Sequence, residues 1–261
     1  MRVSRRGFWL GLKYWLLTAL VALLLLQTYF AGRIALMARI DPRSSAFQRS
    51  EIWRLTTQKD QGPLRWQQQW RDYRQISDNL KRAVIASEDD SFTNNSGVDW
   101  DAVEQAWEHN AKAEEQAETQ QAKARAARRK TAGKPPLAPR IRGGSTITQQ
   151  LAKNLFLSGE RTLLRKGQEL ALTYALKALL TKRRILELYL NSVEWGAGIF
   201  GAEAAAQHYF HKSATALTAP EAARLAVMLP RPRYFEQRPG SPYLAHRAAV
   251  IEERMRSAEL P

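Results

Sequence analysis

The sequence predicts a mainly α-helical domain carried behind one N-terminal transmembrane helix, and three observations predict it. A long uncharged apolar run lies near the N-terminus, helix-capping pairs recur along the rest of the chain, and no sustained alternation of apolar and polar residues announces a sheet or a hairpin. With 261 residues, 44% of them hydrophobic, the chain suits one domain of ordinary size plus an anchor.

The anchor comes first. Nineteen uncharged residues, Tyr14 to Gly32, separate Lys13 from Arg33 and are dominated by Leu, Ala and Val. At helical rise they span roughly 28 Å, close to the thickness of a bilayer core. Tyr14, Trp15, Tyr29 and Phe30 lie near the two ends, where amphipathic rings prefer the interface. Arg2, Arg5, Arg6 and Lys13 precede the run, so the positive-inside rule keeps residues 1–13 in the cytoplasm as a short tail and sends the rest across. A cleaved signal peptide is the competing reading. Its apolar region usually covers only about 7–15 residues, and Ala35-Leu36-Met37-Ala38 resembles a cleavage site loosely, so an uncleaved anchor is expected.

Residues 33–79 read as a juxtamembrane segment with scattered aromatics, among them Trp53, Trp66, Trp70 and Tyr73, and give no firm element. These rings either rest on lipid or pack in the ordinary way. From Leu80 onward helix signals dominate. Asp101 and Glu104 have capping-box spacing and open a helix through Trp107; Thr146 and Gln149 do the same before Leu151, Leu155 and Phe156. Leu164, Leu172, Leu176, Leu179 and Leu186 recur at helical spacing across 163–190. Thr218, Pro220 and Glu221 open an Ala-rich helix up to Leu229. Within the predicted domain, 80–240, residues 108–142 stand apart. Nine basic side chains against four acidic ones, with almost no large apolar residues, cannot bury enough surface to offset ordering entropy, which predicts a mobile basic insertion. Residues 241–261 form a C-terminal segment.

The formal charge of +15, from 40 basic and 25 acidic residues, draws the chain toward nucleic acid, an acidic membrane surface or phosphorylated substrates without choosing among them. The absence of cysteine excludes disulfides, thiolate zinc sites and cysteine nucleophiles. His109, His208, His211 and His246 show no HExxH spacing. His208 and His211, three apart, are expected in surface or half-buried roles rather than as metal ligands.

Three segments carry candidate chemistry. In the first, Glu88, Asp89 and Asp90 follow the apolar run Ala83–Ala86. A carboxylate at the edge of an apolar wall has its charged form disfavoured, which raises its pKa and makes it a useful proton acceptor near neutral pH. Taken alone, such a cluster is more often a solvated turn. In the second, GGSTITQQLAKN over 143–154, two glycines precede a capped helix whose free N–H groups suit an anion. Thr146, Gln150, Lys153 and Asn154 fall on one face of that helix and gather hydroxyl, amide and ammonium groups; a polar solvent face is the alternative. The GxxxxGK spacing of a nucleotide-binding loop is absent. In the third, Arg165 and Glu169 share a helical face, either as a plain ion pair or, with Lys166, as a phosphate site in which Glu169 positions a metal or the leaving group.

Together these segments resemble the monofunctional biosynthetic peptidoglycan transglycosylases and the glycosyltransferase domains of bifunctional penicillin-binding proteins. The resemblance covers roughly residues 80–235, and GGSTITQQLAKN is its most specific part. Lys182–Asn191, Gly196, Gly198, Gly201, Ala205, Tyr209-Phe210, Lys212–Ala214, Leu217-Thr218, Glu221–Ala223 and Pro230 also match the family pattern. It implies a lysozyme-like helical glycosyltransferase domain. Glu88 falls on the family's catalytic glutamate, with Asp89 and Phe92 following as its motif requires. Thr146, Gln150, Lys153 and Asn154 fall on substrate-contacting positions, as do Arg165 and Lys166, and Glu169 falls on the second important carboxylate. Asn95 departs from the pattern, because the first motif usually carries His there. A transpeptidase domain would need several hundred further residues and an SxxK nucleophile, so the monofunctional form is expected.

The resemblance implies an inverting polymerisation of lipid II into glycan strands with release of undecaprenyl pyrophosphate. Glu88 is then the base and Lys153, Arg165 and Lys166 stabilise the leaving group; the sequence itself requires no cofactor, and a divalent cation (Mg or Mn) near Glu169 is compatible with this reading. It further implies residence in the cytoplasmic (inner) membrane with the catalytic domain periplasmic, and partners among cell-wall synthesis and division proteins. A lytic transglycosylase or lysozyme-like hydrolase is the alternative, disfavoured because a hydrolase has no pyrophosphate to manage. A membrane scaffold or nucleic-acid binder using the basic stretch is the alternative from another class. No nucleic acid is expected, since that stretch lacks interleaved aromatics that would stack on bases.

Overall fold

The computed structural model describes residues 5–57, 65–95, 145–157 and 162–261. The predicted helix at 101–107, the basic insertion at 108–142 and the glycine pair at 143–144 lie outside the described residues.

Helix α1 (Arg5–Met37) runs past both ends of the uncharged stretch. Lys13 and Arg33 are good helix formers and the first proline is Pro42, so nothing stops the helix at the charged residues that delimit the apolar run. Trp9–Met37 qualifies as a membrane span, with a mean hydropathy of 1.9 and none of its most apolar window buried. Its last turns enter the domain instead: Ile34 and Met37 are buried, and Phe30 meets Phe156 edge-on at 5.5 Å.

The juxtamembrane segment contains a helix that periodicity did not announce. Ser45 and Gln48 exchange side-chain-to-backbone hydrogen bonds of 2.7 and 3.0 Å and open α2 (Ala46–Thr57). After β1 (Gln67–Gln68) and a 3₁₀ turn (Tyr73–Gln75) comes α3 (Asp78–Glu88). Then follow α4 (Ile147–Phe156), α5 (Leu163–Leu179) and α6 (Lys182–Ser192). The apolar run at 163–190 is therefore two helices. Leu180 is extended and the Thr181 hydroxyl accepts the Arg184 N–H to start the second. Leu172, Leu176 and Leu186 are buried as their spacing predicts, whereas Leu164 is 89% exposed and Leu179 is 42% exposed.

The expectation of no hairpin is corrected. β2 (Glu194–Gly196) and β3 (Ile199–Phe200) pair antiparallel, and β1 adds to β3 in parallel, giving the order β1-β3-β2. Strands this short carry no readable alternation. Two family-pattern glycines explain themselves here. Gly198, at φ +71°, approaches the Arg65 carbonyl so closely that a Cβ would lie 1.9 Å from its oxygen; Gly201, at φ +85°, would bring one to 2.9 Å from the Asn191 oxygen.

The chain closes with α7 (Ala202–Phe210), a second 3₁₀ turn (Ala214–Ala216), α8 (Ala219–Met228), α9 (Pro232–Glu236) and α10 (Pro242–Arg254). The Glu221 carboxylate accepts the Thr218 N–H at 2.9 Å, as the capping-box spacing predicts. In the core, α3 packs on α8 and α8 on α10, while α4 packs on α5 and α6. The segment 241–261 belongs to this core, since Leu244, Ile251, Met255 and Ala258 are buried.

Candidate active site

Glu88 is the last residue of α3, so its carboxylate projects from a helix end rather than lying along a packed face. Behind it, Ala83, Val84, Ile85 and Ala86 are all buried, which is the apolar wall the sequence predicts. Glu88 itself is half-buried. Burial holds its pKa above the ordinary glutamate value and the charge of Asp89 adds to that. Hydrogen bonds from Gln150 and Ser87 and the charge of Lys153 oppose the rise without cancelling it.

The second segment meets the first through α4. Thr146 caps α4 and is buried; its hydroxyl accepts the Gln149 N–H at 3.2 Å and Gln149 returns a bond to the Thr146 N–H at 3.0 Å. One turn on, Gln150 donates from Nε2 to Glu88 Oε2 at 3.0 Å, and its Oε1 accepts the Tyr189 hydroxyl at 2.9 Å. Tyr189, on α6, is fully buried, and burial holds its pKa well above the usual phenol value, so it stays a donor. That donation fixes which end of the Gln150 amide faces Glu88. Lys153 is exposed on α4 and Asn154 half-buried.

Asp89 forms a parallel network. Its Oδ2 accepts the Ile147 N–H at 3.0 Å and its Oδ1 accepts from Asn95 Nδ2 at 2.8 Å. Asn95 in turn accepts from Lys182 Nζ at Oδ1, 2.8 Å, and at its carbonyl, 2.9 Å. Asn95 thus bridges carboxylate and ammonium with one donor and one acceptor, which a protonated imidazole, having donors only, cannot do. Burial raises Asp89 and lowers Lys182, each partly offset by its partners. Phe92 is completely buried, with the Lys182 ammonium 4.7 Å from its ring centre. Asp89 thus ties the end of α3 to the start of α4, Asn95 and Phe92 engage Lys182 of α6, and Thr146 caps α4. Asp90, the third acid of the cluster, is solvated and pairs with Arg254 at 3.1 Å.

The third segment occupies the first turns of α5. Glu169 is 3% exposed and accepts from both Arg165, at 3.1 Å, and Lys166. Arg165 Nε is buried without a partner among the described residues. Glu169 already pairs with two bases, and no group of three His, Asp or Glu side chains that could hold a cation without the substrate's phosphates occurs among the described residues. His208 and His211 form no such group either. The first is half-buried 3.5 Å from Glu236, and the second is an exposed left-handed cap at the end of α7.

Two residues of this site escaped the motif reading, Tyr189 and Lys182. Both lie in the family-pattern stretch 182–191, and a lone phenol among the apolar residues of α6 was the one available signal for Tyr189.

The family described as Transglycosylase matches residues 57–125 and 119–256. A biosynthetic peptidoglycan transglycosylase of Paraburkholderia xenovorans (strain LB400) is 50% identical over all of this chain and 98% of its own length. Those of Burkholderia pseudomallei (strain K96243), 50% identical over 100% of this chain and 91% of its own, and of Herminiimonas arsenicoxydans, 47% identical over 96% and 97%, are similar to it as well. The chain belongs to the transglycosylase family, among the biosynthetic peptidoglycan transglycosylases.

Proposed function

We propose that this glycosyltransferase polymerises lipid II at the surface of the bilayer that α1 spans, with Glu88 as general base. The observation that carries the reading is the Tyr189–Gln150–Glu88 chain, which gives a carboxylate whose pKa burial raises an oriented, neutral hydrogen-bond partner. Glu88 takes the proton of the acceptor's 4-hydroxyl. That oxygen attacks the donor's anomeric carbon from the face opposite the pyrophosphate, the carbon–oxygen bond to the leaving group breaks, and the configuration inverts.

The leaving group keeps its negative charge and its lipid. Arg165 and Lys166 suit it on two counts. The unpartnered Arg165 Nε is a donor that a phosphate oxygen would satisfy. Their depth also fits: Gln168, two and three residues further along α5, exchanges amide hydrogen bonds of 2.8 and 3.2 Å with Gln27, which belongs to the uncharged span of α1. The start of α5, with its exposed Leu164, then lies at headgroup level, where a lipid pyrophosphate is found. Glu169 acts here as the counterion that holds both bases in place before the substrate arrives. Residence in the cytoplasmic membrane, with the domain on the periplasmic side, is part of this reading, since that is where the proposed lipid-linked substrate is polymerised.

The deciding experiment is polymerisation of lipid II by the purified full-length chain and by Glu88→Gln, each with and without EDTA. Full polymerisation by the Gln variant sinks the assignment of the base, and loss of wild-type activity in EDTA shows that a divalent cation accompanies the pyrophosphate.

A further inference from the structure

Where α1 leaves the apolar span, its last turns and the start of α2 enclose a pocket of about 260 Å³, lined among others by Arg33, Leu36, Ile40, Arg43, Ser44 and Arg49. We propose that this pocket seats the phosphate headgroup of an anionic phospholipid from the leaflet into which α1 emerges, with the acyl chains running along Leu36 and Ile40. The inference rests on membrane insertion of α1 and not on the transferase chemistry, so either can fail without the other.

The lining has the two halves such a lipid requires. Leu36 is 60% exposed and Ile40 is 61% exposed, which extends the lipid-facing surface of α1 beyond Arg33. Beside them, Arg33, Arg43 and Arg49 make no ion pair among the described residues; Arg49 bonds only Ser44, at 3.1 and 3.3 Å. Planar guanidinium forks match phosphate oxygens in pairs. The one acid of the lining, Asp41, is taken by Arg184 at 2.6 Å.

Two plainer roles for these arginines are already filled or disfavoured. They are not needed to cap α1, because its terminal carbonyls are spent: Met37 accepts Arg184 Nε at 2.7 Å, and Leu36 accepts the N–H of Ile40 at 2.9 Å and of Arg39 at 3.1 Å. Nor do they help insertion. Arg33, Arg39, Arg43 and Arg49 equal in number the four basic residues ahead of the span, and basic residues on the translocated side oppose the orientation signal. The three guanidiniums outweigh the partial negative charge of the α1 C-terminus. Arg33 also stands 5.3 Å from the Phe156 ring, so the seat abuts the end of α4, the helix that carries Gln150.

The test is native mass spectrometry of the full-length chain released from vesicles of phosphatidylcholine with phosphatidylglycerol added. The wild type should retain phosphatidylglycerol over phosphatidylcholine by about tenfold, and the triple variant Arg33→Gln, Arg43→Gln, Arg49→Gln should retain them equally. Arg43→Gln alone, at an exposed residue with no ion pair to lose, should cut the preference by about twofold without touching the fold. Equal retention by the wild type, or an undiminished preference in both variants, overturns the proposal. So does displacement of phosphatidylglycerol by geranylgeranyl pyrophosphate whose retention the triple variant loses, which would assign the pocket to the carrier lipid instead.

Discussion

Glu88, at the end of α3, and Glu169, in α5, are two glutamates whose surroundings are opposite. Glu88 has mostly neutral company: an amide from Gln150 on one oxygen and an apolar wall behind it, with the opposing charges of Asp89 and Lys153 acting on it. Glu169 is more deeply buried but meets an arginine and a lysine directly. A carboxylate surrounded by neutral groups is costly to ionise and therefore ready to accept a proton. One that is matched by two cations is a structural anion whose charge is used up in positioning them. The comparison teaches that partner type, more than depth, sorts these acids into proton chemistry and electrostatics.

The comparison breaks most visibly at Glu88. Glu88→Gln should lower lipid II polymerisation by about 10³-fold. Because burial raises the folded pKa of Glu88 above its unfolded value, the residue stabilises the fold only below the unfolded value, and that contribution is lost as pH rises through the folded one. The Gln variant should therefore melt no lower than wild type at neutral pH, and a clear drop there would contradict the desolvation argument. Glu169→Gln should cost about 10²-fold in kcat/KM by freeing the two bases, while leaving the pH–rate profile in place. In wild type the acid limb of that profile should lie above the range of an ordinary glutamate, with activity falling as pH drops through it. Tyr189→Phe sharpens the contrast, since loss of the hydroxyl lets the Gln150 amide turn. About tenfold lower kcat is expected with a shifted acid limb, and an unmoved limb would reduce Tyr189 to packing. Asn95→Ala should act mainly on stability, by about 2 kcal/mol or roughly 4–8 °C in thermal denaturation, because it uncouples Asp89 from Lys182.

Features written in adjacent residues were legible in the sequence. The span of α1, the Thr146–Gln149 and Thr218–Glu221 capping pairs, and the wall behind Glu88 all depend on contacts within a few residues. The resemblance located Glu88, Gln150 and Arg165, but spacing by itself left each with a bland alternative. What escaped is long-range. β1 pairs with β3 across more than a hundred residues, the strands of the β2–β3 hairpin are too short to show alternation, and α2 has a weakly amphipathic sequence whose buried members are polar, Gln48 and Glu51. Leu164 shows the converse, a position in register with the core that is exposed at a helix start. The bond from Tyr189 to Gln150 joins α6 to α4, and no local pattern encodes it.

The Gln27–Gln168 amide pair has a mechanical consequence. Two reciprocal N–H···O bonds would both be lost if the helices slid or rotated by a residue, so the pair couples the height of α1 to that of α5. On the proposed membrane placement, that coupling sets the height of the proposed phosphate site at the start of α5 above the lipid.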